Sequence, residues 1–237
     1  DVIRVTGARS VQGTGDESTI LTGLSTDTRS LAPGELYLAL SGPAFDGNAF
    51  ARTAADAGAG ALLLREDPAL DLSGLPEGLL VATCRDPLRA LADLAGWHRR
   101  RLATPVVAIT GSVGKTSTKN ILLELLRDVR SVVGSPASFN NEVGVPRTLL
   151  LAAERTEVLV AEIGTNAPGE IAALCRIAQP NAGIVTEVGS SHLAGLHNLE
   201  GVAAEKSALP ACLPRAGFCV LNADNPLTAR MSDITAA

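Results

Sequence analysis

The sequence predicts an α/β protein built in two parts, and three observations lead there. Short apolar runs of strand length alternate with longer amphipathic stretches along all 237 residues. Hydrophobic residues make up 46% of the chain, yet there are only one Trp, one Tyr and four Phe, so the core must rest on Ala, Val, Leu and Ile. That composition suits parallel strands covered on both faces by helices. Third, the apolar run Val106–Thr110 passes through a glycine-containing turn into an amphipathic stretch, the order of a βα unit.

The first part, residues 1–104, offers Leu36–Leu40, Ala61–Leu64 and Leu79–Ala82 as strands. Phe50–Ala57 reads as a helix stopped by Gly58, and Pro87–Arg101 as a second one, with Asp86 before it and Pro87 at its first position. Its basic end, His98 to Arg101, complements the negative helix C-terminus. Ala103–Pro105 reads as a linker.

In the second part, 105–237, the period is strand then helix. Val106–Thr110 is followed by a helix to Val129, with Ile121, Leu122, Leu125, Leu126 and Val129 on its apolar face. A polar loop over Gly134–Asn141 leads to a helix from Val145 to about Ala153, the strand Glu157–Ala161 and a helix over Gly169–Ile177. The strand Ala182–Thr186, a helix over Leu199–Leu209 and the strand Gly217–Leu221 complete the pattern. Repeated βα units imply a mainly parallel sheet with right-handed crossovers, whose ligands collect at the C-terminal strand ends. The chain stops one helix start beyond a strand, so this part is expected to be incomplete.

The turn after Thr110 is the most specific feature. Gly111, Ser112, Val113, Gly114, Lys115, Thr116 and Ser117 form GxxGKTS, shorter than GxxxxGK[ST] because Ile109 stands where the first glycine would be. Backbone N–H groups of such a turn converge on one point, and the helix N-terminus adds positive potential. Lys115 can then reach outer phosphates and the Thr116 hydroxyl can ligate Mg²⁺, so a nucleoside triphosphate site is expected. The net charge of −5 argues against non-specific nucleic-acid binding. No apolar run approaches the length of a membrane span. The four cysteines show neither CxxC nor zinc-like spacing, which fits reduced thiols in a cytoplasmic protein.

Six ordered segments together resemble the muramoyl peptide ligases, ATP-dependent amide-forming enzymes of peptidoglycan assembly. They are the turn itself; Ser25-Thr-Asp-Thr-Arg-Ser30 with Phe45-Asp-Gly-Asn48; Ser138-Phe-Asn-Asn-Glu-Val-Gly-Val-Pro146; Glu162-Ile-Gly-Thr-Asn166; Val202-Ala-Ala-Glu-Lys206; and Leu221-Asn-Ala-Asp-Asn225. The third and fourth are similar to the branch that adds D-alanyl-D-alanine. The resemblance implies a small N-terminal α/β uridine-nucleotide-binding domain over 1–104 and a P-loop-type ATP-binding domain over 105–237. It implies a cytoplasmic ligase that joins D-alanyl-D-alanine to UDP-N-acetylmuramoyl-tripeptide through an acyl phosphate, using ATP and two Mg²⁺ ions. Alternatives are the sister ligase that adds the tripeptide's third amino acid, and a non-catalytic module that holds UDP-linked precursor or ATP. A monomer without membrane insertion or nucleic-acid partner is expected.

The implied roles run residue by residue. Lys115 and the turn amides hold phosphates, and Thr116 with Glu162 holds one Mg²⁺. His192 and Lys206, the latter as a carbamate, belong to a second metal; Lys115, Glu162, His192 and Lys206 form the catalytic set. Asn222 reads adenine. Ser25, Thr26, Asp27, Arg29, Asp46, Gly47 and Asn48 bind the uridine substrate, joined by Asn140 and Asn141. Two positions depart from the family pattern: Asn48 stands where a histidine is usual, and Ala208 where an acid commonly follows the lysine. The family's closing third domain lies outside the chain, which alone is expected to be inactive.

Overall fold

The computed structural model describes residues 1–13, 20–190 and 193–237. It divides into two compact units, Asp1–Leu94 and Ala95–Ala237. The division falls inside a helix rather than at the expected linker.

The first unit opens with α1 (Val2–Thr6), which ends at Gly7 in the left-handed region, φ 65°. There follow β1 (Arg9–Gln12), β2 (Leu24–Ser25), β3 (Leu36–Leu38), the paired β4 (Ser41–Gly42) and β5 (Phe45–Asp46), a 3₁₀ turn over Gly47–Phe50 and α2 (Ala51–Asp56). β6 (Ala61–Arg65), β7 (Leu80–Cys84) and the start of α3 (Pro87–Arg101) complete it. Among the described residues the sheet runs β1-β7-β6-β3-β2, parallel except for β1. β6 is buried on both faces from Ala61 to Leu64, as a central parallel strand must be. Tyr37, Ala54, Leu62, Leu64 and Val81 form the core beneath it. The expected start of α3 is seen: Asp86 Oδ1 accepts the Arg89 amide at 3.0 Å. The strands β1 and β2 were not expected, being an exposed edge segment and a two-residue pairing without an apolar run.

The second unit holds β8 (Val106–Thr110), α4 (Lys115–Leu126), β9 (Val132–Gly134), α5 (Gly144–Leu150) and β10 (Val158–Glu162). Then come α6 (Glu170–Ala178), β11 (Ala182–Val185), α7 (Leu193–Leu196), α8 (Leu199–Cys212), β12 (Phe218–Leu221) and α9 (Pro226–Ala229). Its described sheet is wholly parallel, in the order β12-β11-β8-β10-β9. The register sets Glu162 beside Ile109 and Val185 beside Thr110, so the strands end along one edge. Ala108, Val145, Leu159, Ile171, Val185 and Val202 are among the residues that close the core. Among the described residues no helix is long and apolar enough to cross a membrane.

Two expectations in this unit need correction. The basic end of α3 does more than complement its own helix. Arg99 is buried and donates to the carbonyls of Ala178, Leu102 and Gln179 and to Asn181 Oδ1, at 2.8–3.1 Å. It thereby fixes the end of α6 and the entry to β11, and Ala95 already belongs to this unit's core. The apolar face of α4 is also rotated from the expected one. Ile121, Leu125 and Val129 are 62%, 71% and 63% exposed, whereas Lys119 is buried and Leu122, Leu123 and Leu126 are half-buried. The inward stripe is therefore 119, 122, 123 and 126, at helical spacing, with a lysine in its first position. The helix stops at Leu126, three residues early, and the following Val132–Gly134 pairs with β10 as an unexpected short edge strand.

Candidate functional site

The turn between β8 and α4 has the backbone its sequence requires. Gly111 has φ 153°, and a Cβ there would lie 1.9 Å from Thr186 Oγ1, so no other residue fits. Gly114, at φ 84°, is the left-handed residue that starts α4. The turn is laced to the segment after β11. Ser112 N donates to Glu187 O at 2.8 Å, Ser112 Oγ accepts from Gly189 N at 2.9 Å, and Thr186 Oγ1 donates to Val113 O at 2.6 Å. Val113, Gly114 and Ser117 remain exposed. Lys115 folds back so that its Nζ donates to Gly111 O at 2.6 Å. Burial lowers the Lys115 pKa and the Glu162 carboxylate opposes that shift. Just below the turn, the buried Thr110 Oγ1 has no hydrogen-bond partner among the described residues.

Glu162 closes β10 and is only 1% exposed. Its Oε2 accepts from Thr116 Oγ1 at 2.9 Å and its Oε1 from Asn140 Nδ2 at 2.8 Å. The expected pair Thr116 and Glu162 is thus brought together. One hydroxyl and one carboxylate are what Mg²⁺ takes from protein in nucleotide sites, the rest of its shell being phosphate oxygens and water. The residues present fit such an ion. Among the described residues no group of three His, Cys, Asp or Glu could hold a metal by itself.

Lys206 sits in α8 and is 1% exposed, with no hydrogen-bond or ion-pair partner among the described residues. Burial first, then the nearby Lys115, lower its pKa from 10.5 to about 8, against the opposing pull of Glu205. His192, the other expected residue of that second metal, lies outside the described residues. Glu205 was not singled out from the sequence, yet it is a structural centre. Its carboxylate accepts the amides of Gly169 at 2.6 Å and Ile171 at 2.7 Å, capping α6 from a neighbouring helix. Glu205→Ala is expected to cost the second unit about 2 kcal/mol, because buried amides lose their acceptor. Urea unfolding checks this, and a loss within 0.5 kcal/mol, roughly the scatter of inert surface changes, would contradict the capping role.

The remaining expected residues are placed as follows. Asn222 donates through Nδ2 to Thr186 O at 3.0 Å and Glu187 Oε2 at 3.3 Å, joining the ends of β11 and β12. Asn141 Oδ1 accepts the Gly144 amide at 2.9 Å and so caps α5. In the first unit, Thr26, Asp27, Arg29, Tyr37, Phe45 and Phe50 help line a cavity of about 420 Å³ that also touches Gly47. Ser25 is buried, and its Oγ donates to Asp27 O at 2.9 Å, shaping the loop. Arg29 pairs with Asp27 at 2.6 Å on the exposed rim. Asp46 accepts from the Asn48 amide, Ser41 Oγ and Arg65, and the first two chiefly hold its pKa low. The Asn48 side chain grips both the N–H and the C=O of Arg65 at 2.9 Å, which fixes its orientation within the fold and leaves one N–H of its amide for other partners. Tyr37 Oη donates to Gly47 O at 3.0 Å; burial, then Asp27 and Asp46, push its pKa up to about 12. Both polar clusters thus surround one tyrosine.

Three comparisons bear on this site. Residues 109–237 match the family model described as the Mur ligase middle domain. The chain is 39% identical over 226 residues to the UDP-N-acetylmuramoyl-tripeptide–D-alanyl-D-alanine ligase of Mycobacterium tuberculosis, covering 89% of this chain and 44% of that protein. It is 38% identical over 205 residues to the Escherichia coli protein of the same name, covering 86% and 44%. The chain therefore spans less than half the length of these relatives. Among solved structures, MurF from Acinetobacter baumannii superposes with a TM-score of 0.85 at 26% identity, over 98% of this chain and 50% of that one. MurF ligase from Thermotoga maritima in complex with ADP gives 0.78 at 28%, over 93% and 50%.

Proposed function

We propose, because this chain belongs to the Mur ligase family, that it carries the uridine-nucleotide and ATP sites of a ligase that adds D-alanyl-D-alanine to UDP-N-acetylmuramoyl-tripeptide. The observation that carries the reading is the joint seat of Thr116, Glu162 and Asn140 beside the GxxGKTS turn. The similarity to D-alanyl-D-alanine-adding ligases supports this branch over the sister that adds the third amino acid. A monomer in the cytoplasm is the proposed setting.

In the proposed reaction a substrate carboxylate oxygen attacks the γ-phosphorus of ATP and ADP leaves. The amine of D-alanyl-D-alanine then attacks the acyl carbon, phosphate leaves, and the nitrogen loses a proton. Such chemistry needs positioning and charge neutralisation more than covalent help. The turn amides and Lys115 would bind and align the phosphates, Lys115 releasing Gly111 O to do so. Thr116 and Glu162 would hold Mg²⁺, which when bound offsets phosphate charge. Lys206, as a carbamate, and His192 would hold a second ion; carbamate formation turns a partnerless buried cation into an anion. Asn222 would stand near the adenine, its amide already set by Thr186 and Glu187.

The first unit would seat the uridine diphosphate in the cavity around Tyr37, between Thr26–Arg29 and Asp46–Gly47. Titrating labelled chain with UDP-N-acetylmuramoyl-tripeptide is expected to shift amide signals within residues 24–30 and 45–50. Mg-ADP should move those of 110–117, 162 and 186–190 instead. Precursor-induced shifts confined to the second unit would reject the substrate site. Silence toward both ligands would reject the whole reading.

A further inference from the structure

Lys119 lies one turn beyond Lys115 on α4, and nothing in the phosphate-binding turn requires it. Its side chain is 3% exposed, a rare condition for an ammonium group without function or partner. Nζ donates to Ser135 O at 2.8 Å and to Ala137 O, the latter residue held at φ 44°. Its distance to Glu162 Oε2 is 4.0 Å, an ion pair beyond hydrogen-bond reach. The ammonium is therefore spent on two carbonyls of one loop, with the carboxylate alongside. That loop is the one that leads to Asn140. From its far end Asn140 donates to Glu162 Oε1 at 2.8 Å and accepts the Gly164 amide through its backbone at 2.7 Å. From its near end Ser135 Oγ accepts the Glu162 amide at 3.0 Å.

We propose that Lys119 is a positioning residue: by clamping the 135–137 carbonyls it holds the loop so that Asn140 and Ser135 fix the Glu162 carboxylate for metal. This rests on the reading of Thr116 and Glu162 as the Mg²⁺ seat of a nucleotide site. The arrangement explains why a lysine occupies the first place of an otherwise apolar stripe. Burying it costs desolvation, and two carbonyls and a carboxylate offset that cost. It also gives two roles of opposite sign. Were Lys119 only a counter-charge to Glu162, removing it would leave the carboxylate more attractive to Mg²⁺. As the clamp of the loop, its removal frees Asn140 and weakens metal binding.

The test follows ADP binding to the 237-residue chain by calorimetry, across a Mg²⁺ titration and separately in EDTA. In Lys119→Met the Mg²⁺ concentration giving half-maximal enhancement of binding is expected to rise at least tenfold. ADP affinity in EDTA should stay within twofold, because the turn amides and Lys115 are untouched. Asn140→Ala should reproduce most of the rise, and the double variant should add nothing further, as for residues acting in one chain of contacts. Should Lys119→Met fail to fold, Lys119→Gln is used; it keeps one donor for a loop carbonyl and is expected to show the same rise. An unchanged or lowered Mg²⁺ requirement in a folded variant overturns the proposal. So does full additivity of the two substitutions. Wild-type chain that binds no ADP at all overturns the nucleotide reading itself, and this inference with it.

Discussion

Lys115→Ala is expected to lower ADP or ATP affinity by about 30- to 150-fold while leaving the circular dichroism spectrum unchanged. The expectation follows from where the ammonium sits. Its Nζ donates to Gly111 O at 2.6 Å, within the turn whose amides would meet phosphate. Burial lowers its pKa, and the charge of an incoming phosphate, like that of Glu162, would oppose that shift. A charge-assisted contact between lysine and phosphate is worth about 2–3 kcal/mol, close to two decades of affinity. The alanine removes a single side-chain bond, that to Gly111 O, so the fold should hold. Calorimetry at fixed salt decides it, since phosphate binding is screened by ions. Equal affinities in variant and wild type would remove the phosphate role from Lys115 and leave the turn without its charge.

The parts of this site that were legible in the sequence are those whose signal is local. The β8–turn–α4 unit was readable because an apolar run, two glycines and a lysine follow one another within twelve residues. The start of α3 was readable for the same reason, Asp86 and Pro87 standing beside the amide they serve. Lys119 and Glu205 were not readable. Each is one of several charges on its helix, and each is satisfied by groups 16 to 36 residues away. Counting apolar residues on α4 skipped the lysine and so chose the wrong stripe. Asn140 and Asn141 show the two cases side by side. The cap that Asn141 makes to Gly144 is three residues away and has a local signature, whereas the bond of Asn140 to Glu162 spans 22 residues. The short strands β2 and β9 were invisible because pairing with a neighbour, not composition, defines them.

The second large effect is on stability, and its sign is opposite to that of most core substitutions. Lys206→Met is expected to stabilise the second unit at neutral pH by up to about 3 kcal/mol. In the folded chain burial and Lys115 bring the Lys206 pKa from 10.5 to about 8. The unfolded chain therefore binds its proton more tightly, and stability must rise with pH wherever the two states differ in protonation. Below about pH 8 both states carry the proton, and the folded one bears the whole cost of the buried charge. Between about pH 8 and 10.5 the folded lysine is neutral while the unfolded one is charged, so the cost fades and is gone above that range. About 2.5 pKa units correspond to roughly 3 kcal/mol at 1.36 kcal/mol per unit. Methionine fills a similar volume without charge, which removes the cost at every pH. Melting curves in carbon-dioxide-free buffer should show the variant several degrees above wild type at pH 7, the two converging above pH 10. In buffer with bicarbonate the wild type should recover part of the difference, because the free amine can become a carbamate and so escape the buried positive charge. A variant no more stable than wild type at pH 7 would mean that Lys206 has a partner strong enough to keep its charge. That would also remove the physical reason for a carbamate at this position. Stability given up at a buried lysine is what a residue kept for chemistry would show, and the bicarbonate dependence is the part of the experiment that a merely misplaced charge would not reproduce.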